Sequence, residues 1–300
     1  MKQFLYKIVL WGLLVFIGLN LIAYLSLYFL GNSFLYKPQY LENGVKENQF
    51  DYLVLGSSTG LTTLNTKCID SLSGKKGLNM SMDDTSMSTH YLMLQHYFAL
   101  GKKTDCVVLT VMSWDAQNNA PKLNNNDYRF ITHARKDYVH NYYKSLEEGL
   151  FKPLTASAFF PLAGVSYYNA EVFFPSLMTV FQPEQRNRFD DRGNYTYPAT
   201  NHLPDEREFS RTALQITNPY FEKIKSFCRA HDTQLIVYIA PLYKQEVVLN
   251  TGSIRQINHS DLLDAPALFY DGIHVNQKGR VLASEAFVKN MKNFWKHEEK

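Results

Sequence analysis

The longest apolar stretch lies at the N-terminus, where IVLWGLLVFIGLNLIAYLSLYFL (residues 8–30) contains no charged residue. At about 1.5 Å per residue, a helix over this stretch crosses the hydrocarbon of a bilayer. A cleaved signal peptide has a shorter apolar region followed by a small-x-small site, and the GNSFLYK that follows here offers none. Lys2 and Lys7 precede the span and only Lys37 follows it closely. The excess of positive charge before the span predicts a cytoplasmic N-terminus, with everything beyond about residue 31 periplasmic or extracellular. Asn20 is the one amide inside the span, tolerable there or paired with another helix.

Beyond the span the pattern predicts a connector, then a folded domain. Residues 32–49 are polar and contain Pro and Gly, which suggests a linker lifting residues 50–300 off the membrane. Four short runs then read as strands: YLVLGS (52–57), KGLNMS (76–81), CVVLTVMS (106–113) and QLIVYIAP (234–241). They are rich in Val, Ile and Leu and do not alternate, as strands covered on both faces should not. STHYLMLQHYFALGKK (88–103) and NPYFEKIKSFCRAHD (218–232) carry apolar residues at helical spacing. Strand and helix in alternation predict a three-layer α/β fold with a parallel sheet.

The alternation stops between about residues 116 and 211, a segment crowded with aromatics and turn formers. It reads as an insertion at the C-terminal end of the third strand, the edge where open α/β sheets bind ligands, and so as a lid or wall. Its aromatics either stack on a sugar or fill a small satellite core.

Composition narrows the function. With 45% apolar and 14% aromatic residues the chain can bury a sizeable core, and 31 Lys and Arg against 28 Asp and Glu leave no basic stripe for a nucleic-acid partner. Cys68, Cys106 and Cys228 lack metal-ligand spacing, and an odd number cannot all pair within the chain. The histidines show no ligand pairing either, so neither a metal nor a cofactor is expected.

The candidate chemistry is nucleophilic. Gly56-Ser57-Ser58 ends the first predicted strand, placing a hydroxyl where the backbone bends and a helix begins. Near the C-terminus YDGIHVNQKG places Asp271 three residues before His274. A one-turn loop can set that carboxylate against Nδ1 of the ring, leaving Nε2 to face a nucleophile. One of the two adjacent serine hydroxyls is therefore a candidate nucleophile, with His274 as its base.

In these residues and their order the chain resembles the SGNH/GDSL superfamily of esterases and acyltransferases. The resemblance covers roughly residues 50–115 and 215–290 and implies a flavodoxin-like three-layer sheet, with Ser58 as nucleophile, His274 as base and Asp271 as its orienting partner. Gly56 and Ser57 take the other positions of the nucleophile turn. The Gly-Ser-Ser form is similar to a membrane-anchored branch near proteins of cell-envelope O-acylation. It implies acyl transfer to, or ester hydrolysis on, an envelope polysaccharide, with acetyl the expected group and a multispanning acyl-exporting protein as a partner.

The oxyanion donors depart from that family's pattern. Where a glycine follows the second strand in the family, this chain has LNMSMDDTS. Where an asparagine follows the third, it has VMSWDAQNN, with Trp114 near the expected position. Asn79, the Asp84 backbone N–H, Asn118 and Asn119 are the replacements at hand, and Asp115 is either functional or a helix cap. The departure supports a second expectation, a catalytically impaired factor that binds glycan or assists assembly.

Overall fold

The computed structural model describes residues 1–200, 202–203 and 207–298. The chain divides into two compact units, one of residues 1–46 with 127–187 and the other of residues 47–126 with 188–300.

The second unit is built on a parallel sheet. Its strands are β1 (Gln49–Leu55), β2 (Gly77–Asn79), β3 (Lys103–Thr110), β5 (Gln234–Ile239) and β7 (Arg255–Asn258), in the spatial order β2-β1-β3-β5-β7. β4 (Ser210–Gln215) and β6 (Gln245–Asn250) form a separate parallel pair. The register sets Val54 beside Asn79 and Val108, and Val108 beside Ile236. Tyr52, Val54, Cys106, Val108, Ile236 and Tyr238 are buried in one cluster with Phe287, Met291 and Trp295 of the helix Gln277–Glu298. Alternate residues point to the opposite face, and Leu53, Leu55, Val107, Leu109, Val237 and Ile239 are buried there too. Burial on both faces is what removes the alternation from these strands.

The sequence reading places β1, β2, β3 and β5 within a few residues of where they lie. It misses β4, β6 and β7, whose SRTALQ, QEVVLN and RQIN interleave polar and exposed positions. Strands with one solvated side carry no continuous apolar run to detect.

The other unit is helical. Its first helix, Lys2–Gly31, is long and apolar enough to cross a membrane, and it exposes most of its large apolar side chains. Part of the expected linker is helical. Lys37–Asn43 is a helix with Gln39 and Leu41 fully buried. Asn43 Nδ2 donates to the Gly31 carbonyl at 2.7 Å, and Gln39 Nε2 donates to the Arg129 carbonyl at 2.9 Å. Pro38, which reads as a sign of a connector, occupies the first turn of this helix, where its missing N–H costs nothing.

The insertion boundaries also change, because only residues 127–187 join the helical unit while 188–215 return to the sheet unit. Tyr142 and Tyr143 are buried and donate to Asp127 Oδ2 and the Asp127 carbonyl, both at 2.8 Å. Part of the aromatic content thus fills a satellite core. Glu147 accepts from the Leu154 and Thr155 amides at 2.9 Å, holding the start of the helix Pro153–Ser157.

Candidate active site

Gly56 leaves β1 at a point where a side chain has no room, since a Cβ there would stand 2.8 Å from Thr110 Cβ and 3.2 Å from the Thr110 carbonyl oxygen on β3. The Gly56 carbonyl accepts from the Met82 amide at 3.0 Å, tying the turn to the segment after β2. Ser57 is buried in extended conformation, and Ser58 begins the helix Ser58–Thr63. One turn on, a Cβ at Gly60 would lie 2.6 Å from Ser81 Oγ and 3.0 Å from Thr110 Oγ1. Two glycines therefore let this helix start close against the ends of β2 and β3.

The second half of the site is the loop before the C-terminal helix. Asp271 Oδ1 accepts from the Ile273 and His274 amides, each at 2.9 Å, so the carboxylate is fixed by its own loop. The same carboxylate receives His274 Nδ1 at 2.8 Å through Oδ2 and 3.0 Å through Oδ1. His274 Nε2 stands 2.8 Å from Ser58 Oγ. With Nδ1 donating to Asp271, Nε2 is left as the acceptor of the Ser58 hydroxyl proton.

Partial burial pushes the Asp271 carboxyl upward, but the His274 ring and the two backbone N–H groups outweigh it and hold the group below its ordinary range. Asp271 is thus ionised at neutral pH, which is the state an imidazole needs beside it to gain a proton. The arrangement can take a proton from Ser58 and return it to a leaving group.

The remaining candidates divide. Asn79 is fully buried and is already engaged: Nδ2 donates to the Gly60 carbonyl at 3.0 Å, and Oδ1 accepts from the Ser81 amide at 3.0 Å. Its amide braces the helix Ser58–Thr63. Asp84 is exposed with φ at 48°. Asn118 accepts from the Ala120 amide at 3.2 Å within its own loop, and Asn119 is exposed. Trp114 is 56% exposed just beyond β3. Asp115 is buried and accepts from the Met87 amide at 2.9 Å, so it caps the helix Met87–Ala99 from another element.

Burial pushes the Asp115 carboxyl up to about 6, against the lowering hydrogen bond from Met87. His90, whose Nδ1 lies 3.9 Å from Asp115, is pushed by burial down to about 3 and is neutral in the folded protein above that pH. Between about pH 4 and pH 6 the folded chain holds the Asp115 proton more tightly than the unfolded chain, so this group's contribution falls as pH rises. Asp115→Asn keeps an acceptor for Met87 and cannot ionise. Thermal denaturation in detergent should show it on the order of 2 kcal/mol more stable than the parent at pH 7.5, with the gain gone at pH 4. Equal stabilisation at both pH values would contradict the assignment.

Tyr197 is the site residue that sequence reasoning passes over. Its ring centroid is 5.1 Å from that of His274, and it stacks on Tyr270 at 4.2 Å and 7°. It reaches the site because residues 190–194 form a tight loop on the sheet edge: the Arg192 carbonyl accepts from the Asn79 amide at 2.9 Å, and Asn194 Oδ1 accepts from the Thr66 amide at 3.1 Å. The only sequence signal is an aromatic pair in the turn-rich FDDRGNYTYP.

Comparison with models of protein families gives no match to this chain, and comparison with curated proteins gives none.

Proposed function

We propose that the chain is a membrane-anchored, serine-dependent enzyme that moves an acyl group, most simply acetyl, to a cell-envelope polysaccharide or removes it by hydrolysis. The observation that carries this reading is the continuous hydrogen-bonded relay Asp271–His274–Ser58. Its position agrees with the reading. Counting only strands of the main sheet in chain order, the arrangement is 2-1-3-4-5, the order of flavodoxin-like folds, in which ligands bind outside the strand ends beside the first strand. Ser58 follows that first strand directly. The SGNH-like motif order supports the same fold and supplies the choice of substrate class.

In the proposed reaction Ser58 Oγ attacks the acyl carbonyl while His274 Nε2 takes its proton. The proton passes to the departing alkoxide, leaving an acyl-serine. Water or a sugar hydroxyl, deprotonated by the same nitrogen, then releases the acyl group and frees Ser58. Asp271 remains a carboxylate throughout and stabilises the imidazolium. The amides of the first turn of Ser58–Thr63, which a helix leaves without internal partners, are the oxyanion donors nearest the nucleophile.

A second reading, a glycan-binding or assembly factor with impaired chemistry, is favoured by the commitment of Asn79 to backbone groups and by exposed Trp114 where the family pattern has a donor. Acetate release from nitrophenyl acetate by the purified chain, with and without envelope oligosaccharide, separates the two. Turnover accelerated by the oligosaccharide, with acetyl appearing on it, is the expected result. Oligosaccharide binding without any turnover would favour the second reading. The reading also requires the sheet unit to be exported, so a reporter fused after Lys300 should be active only if it works outside the cytoplasm.

A further inference from the structure

We infer that the helical insertion is itself a membrane element, seated in the lipid beside the N-terminal helix. The first observation is what its helices expose. Phe160, Tyr167, Phe174, Leu177 and Phe181 are exposed, Phe181 at 84%, and Glu171 is the one charged residue from Pro153 to Phe181, whereas Phe159 lines a cleft with Arg135, Asp137 and His140. An apolar face of this extent on a folded chain is a contact surface.

The second observation identifies the occupant. The helices Pro161–Tyr167 and Phe174–Phe181 pack along Lys2–Gly31 in the same compact unit, so their exposed faces continue the apolar surface of that helix. Phe160 meets Phe16 with ring centroids 6.0 Å apart, and Asn20 Oδ1 accepts from the Leu162 amide at 3.2 Å. Phe16 lies about 21 Å along the helix from Lys2 and about 14 Å from Lys7, while a hydrocarbon core is about 30 Å thick. Whichever lysine marks the inner boundary, the Phe16–Phe160 contact falls inside the hydrocarbon.

The polar groups at that depth are arranged for a medium without water. Leu162 N sits in the first turn of its helix, where no intrahelical acceptor exists, and Asn20 supplies one. Asn20 Nδ2 in turn donates to the Phe16 carbonyl at 3.0 Å. The hydroxyls of Ser26, Ser157, Ser166, Ser176 and Thr179 each donate to a carbonyl three or four residues earlier. In lipid every such group needs an internal partner.

The far boundary is marked as well. A cleft beside the helix is lined by Tyr24, Tyr28, Asn32 and Arg135. Tyr24 and Tyr28 lie about 26 to 32 Å along the helix from Lys7, the depth at which tyrosine and cationic side chains gather against head groups. The bilayer thus accounts for the apolar face around Phe160, and the end of the helix Phe174–Phe181, near the Phe34 amide that donates to the Pro183 carbonyl at 2.7 Å, falls at head-group level. A helical foot of this kind fixes the depth and rotation of the anchor, which a single span does not.

The test uses the full chain in phosphatidylglycerol/phosphatidylethanolamine nanodiscs and in cell membranes. Photoreactive benzoylphenylalanine replaces Phe160, Phe174 or Leu177 singly, with Leu72, an exposed position of the sheet unit, as control. Mass spectrometry after illumination should find phospholipid adducts at the three insertion positions at about ten times the yield at Leu72 or more, as expected for side chains buried among acyl chains. Equal yields at all four positions, or no lipid adduct at the insertion positions, would overturn the inference. Protein adducts in cell membranes in place of lipid adducts would also overturn it and assign the face to a membrane-protein partner. Because no catalytic residue is altered, the outcome is independent of the proposed acyl chemistry.

Discussion

In the proposed acyl chemistry, Ser58→Ala should abolish both release and transfer of the acyl group, lowering kcat by roughly 10⁴-fold or more. The hydroxyl is the only atom at 2.8 Å from His274 Nε2 that can become a nucleophile, and no neighbouring hydroxyl shares that contact among the described hydrogen bonds. His274→Ala should cost a similar factor, because a serine hydroxyl without a base is a weak nucleophile. The double variant should be hardly worse than either single one, since the two side chains act as a unit. Folding is not at issue for Ser58→Ala, whose backbone bonds are unchanged, and gel filtration with thermal denaturation checks this. Additive losses in the double variant would mean that the two residues serve separate steps.

The largest expected effect on the fold comes from a glycine outside the sheet. Gly193 has φ at 76°, and a Cβ there would stand 2.0 Å from the Asn79 carbonyl oxygen. Gly193→Ala therefore meets backbone strain and a clash with a main-chain atom that no side-chain movement relieves. The cost should be about 3 kcal/mol or more, seen as a lowered denaturation midpoint. Gly252 provides the control: φ is 64° with nothing near its Cβ, so Gly252→Ala should cost only about 1 to 2 kcal/mol. Displacing the Gly193 loop should also withdraw Tyr197 from His274, so kcat should fall even in the fraction that remains folded. Equal costs at the two glycines would show that the loop yields freely and does not position the site.

Features of this fold differ in how plainly the sequence marks them. The hydrogen-bonded chain Asp271–His274–Ser58 is legible because such a chain needs fixed residue types at a strand end and in a short loop, and both settings leave local marks. The central strands are legible because burial on both faces writes an unbroken apolar run. Tyr197 leaves only the faint mark of an aromatic pair in a turn-rich stretch, since its approach to His274 is made by the Asp190–Asn194 turn folding onto Asn79, a contact between segments far apart in sequence. Asn79 itself shows the converse error. Its position after an apolar run invites a role toward substrate, yet complete burial commits its amide to the carbonyl of Gly60. The segment at residues 32–49 reads as a connector from Pro and polar content, whereas Pro38 starts a helix and Gln39 is buried through bonds to Arg129 and Thr132. Composition alone cannot tell polar residues that face water from polar residues that find partners inside.

The relay's chemical competence is tested most directly by a fluorophosphonate probe, which reacts only with an activated serine. The full chain in detergent or nanodiscs should take up one probe molecule on the peptide that contains Ser58, with no uptake by Ser58→Ala and at least a hundredfold slower uptake, on the order of the loss of a general base, by His274→Ala. A folded chain that leaves Ser58 unlabelled, or labels it equally with and without His274, would contradict the account.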